Sequence, residues 1–179
     1  MTISIPGLYK DPLIRSYLYP EEMEAVMYVK KESDISRNKG DLAPIILDKI
    51  VFGLAIRLHD GGKKVIMDGC PRGVSQAQLF MNMLGEERRS HYKIIELCFL
   101  DNPEGKSRER QLYRAQNSDL STEEKQKKIA KIPRKIQVYL ENTLHGVKLM
   151  EELGVPKLVL DAEQPIYSIH EQIKKYIKI

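Results

Sequence analysis

The feature that most constrains this fold is a short apolar run that ends in a turn rich in polar groups. Residues 65–67 are Val-Ile-Met, and they lead directly into Asp-Gly-Cys-Pro-Arg at residues 68–72. A short apolar run bounded by turn residues predicts a buried strand in a covered sheet. This strand delivers the carboxylate of Asp68 and the guanidinium of Arg72 to the edge of the sheet, where open α/β sheets bind their ligands.

A helix is predicted immediately after this turn. Ser75 and Gln78 have the three-residue spacing of a capping box, and the helical pattern then runs to a stop at Gly85. Further strands are predicted at residues 94–100 and 157–161, and helices at residues 20–32, 41–60, 121–153 and 165–179. Another helix is predicted to begin at Asn102-Pro103 and to carry Arg110 and Arg114 on one face. Strands that alternate with helices predict an α/β fold, a three-layer sandwich with a parallel sheet covered on both faces.

Several helix ends carry specific signals. Asn102 is a predicted N-cap followed by a first-turn proline, and Ser121 with Glu124 has the spacing of a second capping box. Pro133 predicts a kink or break, and residues 33–40 are polar and predicted to form a loop. In the helix over residues 41–60, apolar residues recur every four positions at Leu42, Ile46, Ile50, Leu54 and Leu58.

The composition is that of one ordinary globular domain, residues 1–179. Of these residues 42% are hydrophobic and 30% charged. The net charge of +4 suits a phosphate-bearing ligand. The sequence has no stripe of basic and aromatic residues, so it does not predict a nucleic-acid partner. No apolar run has membrane-spanning length, and the first residues do not have the pattern of a signal peptide. We therefore expect a cytoplasmic protein without a membrane partner, in which Cys70 and Cys98 are reduced.

One phosphate-binding signal is only partial. Gly105, Lys106 and Ser107 follow a predicted strand and match the end of the phosphate-loop pattern G-x-x-x-x-G-K-[ST]. The first glycine of that pattern is missing, because Leu100 occupies its position. The segment is better explained as the first turn of a helix with a solvated lysine. A displaced phosphate loop is the alternative, and it predicts that Lys106→Ala abolishes ATP binding.

An ordered series of motifs runs through nearly the whole chain. It begins with Lys-Gly-Asp-Leu-Ala-Pro at residues 39–44 and continues with Asp-Gly-Cys-Pro-Arg at residues 68–72 and then Gln76-Ala77. The later members are Leu-Asp-Asn-Pro-Glu at residues 100–104, the pair Arg110 and Arg114, Arg-Lys-Ile-Gln-Val-Tyr at residues 134–139, and Leu-Asp-Ala at residues 160–162. The series resembles the adenylate kinases and related nucleoside-monophosphate kinases, whose signature D-G-[FY]-P-R-x-x-x-Q-A is similar to the segment that starts at residue 68.

The resemblance implies a P-loop-kinase-like fold with an acceptor site for a nucleoside monophosphate, with AMP first and UMP or CMP left open. Arg72 would hold the phosphate, because a planar guanidinium matches phosphate oxygens, and Gln76 would hydrogen-bond the base. Backbone around Gly40, Leu42 and Ala43 would border the base. Ordinary roles stay open for these residues: Arg72 in an ion pair, and Gln76 as a neighbour of the helix cap.

The resemblance also implies ATP as phosphoryl donor, with Mg²⁺. Asp68 would support Mg²⁺ through water. Arg110, Arg114 and Arg134 would surround the triphosphate and the transferring group, because phosphoryl transfer depends on positioning and charge neutralisation. Their ordinary roles are a turn carboxylate and solvated helix faces. The family's parts would fall at about residues 16–60 for the monophosphate-binding part and about 115–133 for a short lid without cysteines for zinc.

One element of the family is not encoded in residues 1–179. The family begins with a strand and a G-x-P-G-x-G-K-[GS]-T loop for the donor's phosphates, and this chain carries no such loop. In the family the missing strand lies between the strands that end at Asp68 and Leu100. Without it, the facing edges of these two strands are either left unpaired or forced to pair directly with each other. We expect an N-terminally incomplete kinase with very weak or absent transfer from ATP. The alternative is a pseudokinase that serves as a nucleotide-binding interaction module.

Overall fold

The computed structural model describes residues 1–39, 44–98, 100 and 102–177, with the backbone alone between residues 31 and 39. The strands are β1 Thr2–Ile3, β2 Ile66–Met67, β3 Ile94–Cys98 and β4 Lys157–Asp161. The helices are α1 Ile5–Lys10, α2 Pro12–Arg15, α3 Pro20–Lys39, α4 Ile45–Asp60, α5 Val74–Leu84, α6 Pro103–Gln116, α7 Thr122–Ala130, α8 Ile132–Val138, α9 Leu144–Glu152 and α10 Ile166–Ile177. None of the helices in the described part of the chain is long and apolar enough to cross a membrane.

The strands form two separate pairs, and both pairs are parallel. Thr2 of β1 lies opposite Ile66 of β2, and Ile94 of β3 lies opposite Lys157 of β4. Among the described residues no strand joins β2 to β3. The predicted α/β class and parallel pairing are confirmed in a helix-rich form. Of the two outcomes expected where the middle strand is missing, the structure has the unpaired edges, because β2 and β3 do not pair with each other among the described residues.

Helix α5 begins without the predicted side-chain cap. Its first residue is Val74, and Gly73 occupies the N-cap position with no side-chain hydrogen bond. The predicted capping box of Ser75 with Gln78 is therefore wrong, because both residues already lie inside the helix. Gly85 ends α5 as predicted, since its φ of 75° is a conformation that glycine adopts without strain.

Two other helix starts follow their sequence signals. Asn102 caps α6, where its side-chain oxygen accepts a hydrogen bond of 3.3 Å from the backbone N–H of Gly105. Ser121 and Glu124 form the predicted capping box at the start of α7. The predicted break near Pro133 is confirmed as well, because α7 ends at Ala130 and Pro133 lies in the first turn of α8.

Helix α3 is longer than predicted. It runs from Pro20 to Lys39, so the loop predicted over residues 33–39 is wrong. The physical reason is that residues 21–39 contain neither glycine nor proline, and no local signal stops the helix. The helix predicted to start at residue 41 begins at Ile45 instead, with Pro44 as its N-cap. Residues 41–43 lie outside the described residues.

The main hydrophobic core lies around α4 and α5. Phe52 of α4 packs on Phe80 of α5 with ring centroids 4.9 Å apart, and both side chains are fully buried. Three members of the predicted four-residue repeat are buried, namely Ile50, Leu54 and Leu58. Ile46 from the same repeat is exposed. The repeat therefore identifies the inner face of α4 from its second turn onward.

The strands are more exposed than their apolar sequences predict. Ile66 in β2 is 58% exposed, Leu97 in β3 is 49% exposed, and Val159 in β4 is 43% exposed. Strands of a parallel sheet covered on both faces bury such side chains. The prediction of fully buried strands is therefore wrong, because each pair has an open edge and incomplete cover.

Candidate functional site

A cavity of about 1360 Å³ lies between the two strand pairs, and we call it the central cavity. Residues of both β2 and β3 line it. Helices α5, α8, α9 and α10 contribute apolar wall residues that include Phe80, Val138, Met150 and Ile173. Asp68 and Arg72 also line the central cavity. The strand end predicted to carry a ligand site therefore borders a space that is large enough for a nucleotide.

Hydrogen bonds of Arg72 stabilise the turn after β2 and join it to the start of α9. Nε of Arg72 donates a hydrogen bond of 2.6 Å to the carbonyl oxygen of Gly69. The hydroxyl of Thr143, at the start of α9, donates a hydrogen bond of 3.2 Å to the carbonyl oxygen of Arg72. Arg72 itself is exposed, so its guanidinium is accessible to a ligand in the central cavity.

A buried polar network anchors this turn to the core. Nε2 of Gln76 donates a hydrogen bond of 2.9 Å to Oδ2 of Asp48 on α4. Oε1 of Gln76 accepts a hydrogen bond of 2.5 Å from the backbone N–H of Arg72. Asp48 is 1% exposed and Gln76 is 4% exposed. One side-chain amide thus couples the buried carboxylate to the backbone of the predicted phosphate-binding residue.

The carboxyl group of Asp48 is held in an unusual electrostatic state. Burial raises its pKa to about 6, against the hydrogen bond from Gln76 and the positive charge of Arg72, which both lower it. Its second oxygen, Oδ1, is buried without a hydrogen-bond partner within the described structure. Asp48 does not line the central cavity, and it reaches the cavity residue Arg72 through Gln76. A raised pKa in a buried polar network is found both at functional sites and in structural networks.

Sequence reasoning missed Asp48, although a signal for it exists. Asp48 precedes the buried Val51, Phe52 and Ala55 of α4 by three, four and seven residues. These spacings place it on the apolar face of the helix. A single carboxylate on a buried helical face requires a partner, so the pattern marks Asp48 as a candidate.

Gln76, predicted to bind the base, has both polar ends engaged inside the protein. Its amide nitrogen contacts Asp48, and its amide oxygen contacts the backbone of Arg72. In this arrangement a base reaches Gln76 only after one of these hydrogen bonds opens. Its role in base recognition stays a prediction.

Lys135 is a cavity residue that sequence reasoning also missed. It lines the central cavity, as Arg72 does. Partial burial lowers the pKa of Lys135, and the positive charges of Lys131, Lys128 and Arg72 lower it further. Two cations therefore face the same space. The four-residue spacing of Lys131 and Lys135 on one helix face is the signal that was available.

The predicted lid arginines lie away from this pair of cations. Arg110, Arg114 and Arg134 are exposed, and none of them is among the described residues that line the central cavity. Nη1 of Arg134 lies 3.4 Å from Oε1 of Gln137. The structure does not bring the three arginines together with Arg72, and their catalytic roles stay predictions.

The partial phosphate-loop signal falls in an ordinary helix start. Gly105 donates its backbone N–H to the capping side chain of Asn102. Nζ of Lys106 forms an ion pair of 2.5 Å with Glu163. The lysine that would hold phosphates in a displaced loop is engaged with a carboxylate, which favours the helix-start interpretation.

The chemistry of Asp68 suits a magnesium contact through water but not a metal site built from several protein ligands. Its carboxylate is exposed at the end of β2, on the lining of the central cavity. In the part of the chain that the structure describes, no group of three or more acidic, histidine or cysteine side chains could hold a metal. Mg²⁺ often uses one or two carboxylates with water and substrate phosphates, so a single Asp68 fits only that mode.

Two of the polar residues that line the central cavity, Glu96 and Tyr139, contact each other. Glu96, which interrupts the apolar run of β3, accepts a hydrogen bond of 3.1 Å from the hydroxyl of Tyr139. Lys157 lies 3.7 Å from the same carboxylate. Burial raises the pKa of the Cys70 thiol to about 12, so this cysteine is not an activated nucleophile. The cavity therefore offers binding groups rather than a nucleophile.

Three predicted contacts to the base lie outside the described residues, namely Gly40, Leu42 and Ala43. No family model matches this chain, and no curated protein matches it. The resemblance to nucleoside-monophosphate kinases therefore depends on the ordered motifs of the sequence.

Proposed function

We propose that this chain binds a nucleoside monophosphate as a P-loop-kinase-like protein of the nucleoside-monophosphate kinase type. The observation that carries the proposal is the placement of Arg72. Its guanidinium is exposed beside the central cavity, while its backbone is fixed to the core through Gln76 and Asp48. A preorganised arginine of this kind suits recognition of a phosphate group.

The groups around Arg72 add to a phosphate site. Helix α5 begins at Val74 without a side-chain cap, so its first backbone N–H groups and its dipole favour an anion there. Lys135 supplies a second positive charge on the same cavity. The nucleoside then lies toward the cavity interior, where apolar walls suit a base.

The proposed donor side uses ATP with Mg²⁺. Asp68 would hold Mg²⁺ through water, and Mg²⁺ would neutralise charge on the phosphates. Arg110, Arg114 and Arg134 are the proposed lid cations, and they lie outside the lining of the central cavity in the described structure. Because the chain carries no G-x-x-x-x-G-K-[ST] loop, we propose that transfer from ATP by this polypeptide is very weak or absent.

A non-catalytic nucleotide-binding interaction module is the second candidate. The ion pair of Lys106 with Glu163 favours it, because the residue most similar to a phosphate-loop lysine is already engaged. Both candidates share the monophosphate site. They differ in whether any phosphoryl transfer occurs.

Isothermal titration calorimetry of the whole chain with AMP, UMP, CMP and adenosine tests the site. We expect at least one monophosphate to bind about ten- to a hundredfold more tightly than adenosine, and Arg72→Ala to remove about the same factor. Arg108→Ala, an exposed arginine outside the central cavity, is the matched control. Equal binding of AMP and adenosine, or unchanged binding by Arg72→Ala, overturns the proposal.

A coupled assay for ADP release separates the two candidates. The weak kinase is favoured if turnover with ATP is low, rises in proportion to the protein concentration and is abolished by Arg72→Ala. No turnover, with monophosphate binding intact, favours the non-catalytic module. Turnover within the ordinary kinase range of about 1–100 s⁻¹ contradicts the proposed weakness of the chain.

A further inference from the structure

The backbone of Arg72 is held from two different helical segments. Its N–H donates a hydrogen bond of 2.5 Å to the side-chain amide of Gln76 on α5. Its carbonyl accepts a hydrogen bond of 3.2 Å from the hydroxyl of Thr143, which directly precedes α9. Thr143 therefore fixes the side of the Arg72 backbone that Gln76 does not reach.

Thr143 is the last residue of a π-helical turn, Tyr139–Thr143, which joins α8 to α9 and which we call the π-turn. The backbone N–H of Leu144 donates to the carbonyl of Tyr139, which is the i→i+5 hydrogen bond of a π-helix. Single π-helical turns inside α-helical segments occur frequently at functional sites. The π-turn lies where its segment contacts the turn that carries Arg72.

The π-turn keeps one row of side chains on the same face of this segment. Four residues of an α-helix turn through about 400°, so a row of every fourth residue drifts by about 40° at each step. A π-helical turn winds less per residue, because its hydrogen bonds span five residues, and it offsets this drift. The row consists of four residues that all line the central cavity, namely Lys135, Tyr139, Thr143 and Val147. Thr143 therefore shares a face with Lys135, the second cation of the proposed phosphate site.

The hydroxyl of Thr143 is directed away from its own helix. A threonine inside a helix ordinarily donates to a backbone carbonyl three or four residues earlier. Thr143 donates instead to Arg72, which is 71 positions away in the sequence. The carbonyl of Tyr139, four residues before Thr143, already accepts the N–H of Leu144. The hydroxyl therefore makes a tertiary contact with the turn after β2.

Close packing of α9 on the start of α5 brings Thr143 to this position. A Cβ at Gly146 would lie 2.7 Å from the backbone of Gly73, the residue that follows Arg72. Residues three apart on a helix lie on the same face, so Thr143 and Gly146 approach the same turn. The glycine allows the approach, and the threonine supplies the hydrogen bond.

We propose that Thr143 is a positioning residue of the monophosphate site, which holds the carbonyl of Arg72 while Gln76 holds its N–H. The inference rests on the proposed function, because it assigns how the phosphate-binding arginine of that site is held. Thr143 acts through Arg72 and does not itself bind the ligand. An arginine held in advance loses less conformational freedom when a phosphate binds, so its contribution to affinity is larger.

Two substitutions at Thr143 test this role. Thr143→Val removes the hydroxyl and keeps a β-branched side chain, whereas Thr143→Ser keeps the hydroxyl. Isothermal titration calorimetry compares AMP, UMP and CMP with their nucleosides. We expect Thr143→Val to weaken monophosphate binding about three- to tenfold and Thr143→Ser to change it less than about twofold. Nucleoside binding should change less than about twofold in both variants.

The comparison with nucleosides separates positioning from a general structural role. A threonine that only stabilises the fold affects monophosphates and nucleosides alike, and such equal losses overturn the proposal. Thr122→Val is the matched control, because Thr122 is exposed at the start of α7 and lies outside the lining of the central cavity in the described structure. We expect its affinities to equal those of the wild type.

A double-mutant cycle with Arg72→Ala tests whether Thr143 acts through Arg72. In the Arg72→Ala background, Thr143→Val should weaken monophosphate binding less than about twofold, because the side chain that it positions is absent. An equal loss in both backgrounds shows an independent effect and overturns the proposal. If Arg72→Ala weakens binding and Thr143→Val does not, this inference fails while the proposed function stands. If Arg72→Ala has no effect, the proposed function itself fails.

Discussion

The buried carboxylate of Asp48 accepts a hydrogen bond of 2.9 Å from the side-chain amide of Gln76, across 28 residues of sequence. The other end of that amide accepts the backbone N–H of Arg72. The position of Arg72 therefore depends on a residue of α4 that lies outside every recognised motif. The network links the core to the proposed phosphate site.

Gln76→Ala is expected to lower the free energy of unfolding by about 2–3 kcal/mol. It leaves the carboxylate of Asp48 and the N–H of Arg72 without their partner in a buried setting. Urea denaturation measures the loss. Gln78→Ala on the same helix is the control, because the exposed Gln78 only bonds Asn82 and its loss costs less than about 0.5 kcal/mol. Equal effects of the two variants contradict the network.

The stability that Asp48 contributes depends on pH in a definite direction. Its pKa rises from an ordinary 3.8 to about 6 on folding, so the folded state binds the proton more tightly. The contribution is therefore complete below pH 4 and is lost as pH rises through 6. Relative to Asp48→Asn, the wild type should lose about 2–2.5 kcal/mol between pH 4 and pH 7.5.

The measurement is urea denaturation of both proteins at several pH values. Asp60→Asn is the control, since Asp60 is an exposed carboxylate that lies 3.5 Å from Arg88. Its difference from wild type should change by less than about 1 kcal/mol over the same range. A wild type that gains stability relative to Asp48→Asn as pH rises refutes the raised pKa of Asp48.

Gly69→Ala should disturb the proposed ligand site, whereas Gly62→Ala should not. Both glycines have positive φ, 71° and 79°, so each substitution costs about 1 kcal/mol of backbone strain. A Cβ at Gly69 also meets the guanidinium of Arg72, while a Cβ at Gly62 meets no atom within 4 Å. Calorimetry with AMP should show about a tenfold loss for Gly69→Ala alone. Equal losses in affinity exclude a specific effect through Arg72.

Glycine-to-alanine substitutions within two helices should have opposite effects on stability. A Cβ at Gly146 of α9 would lie 2.7 Å from the backbone of Gly73, so Gly146→Ala separates α9 from the start of α5 and costs about 1–3 kcal/mol. A Cβ at Gly53 of α4 has its closest contacts at 3.5 and 3.7 Å, so Gly53→Ala gains up to about 1 kcal/mol of helix propensity. Thermal denaturation distinguishes the two signs. A stabilised Gly146→Ala shows that this close approach is not a constraint.

Local signals predicted local structure well. The cap at Asn102, the capping box at Ser121 and the stop at Gly85 depend on residues a few positions apart, and the structure has all three. The failure at Ser75 has a related cause, since a capping-box spacing also occurs inside a helix. The longer extent of α3 shows that polar composition alone does not stop a helix.

The site depended on distances that sequence spacing does not encode. Arg134 and Lys135 are adjacent, yet only Lys135 lines the central cavity in the described structure. The rotation of α8 decides between them, and packing against other helices sets that rotation. Asp48 meets Gln76 only because α4 and α5 pack side by side. Such contacts are tertiary, so a motif search does not find them.

The sequence by itself determined the alternation of strands and helices from β2 onward, the parallel type of pairing and the delivery of Asp68 and Arg72 to the end of a strand, because hydrophobic periodicity and turn chemistry act over short distances. The tertiary structure alone decided that β2 and β3 stay apart, that Asp48 holds Gln76, and that Lys135 joins Arg72 at the central cavity. Those outcomes depend on how whole elements pack, and packing is a property of the folded chain.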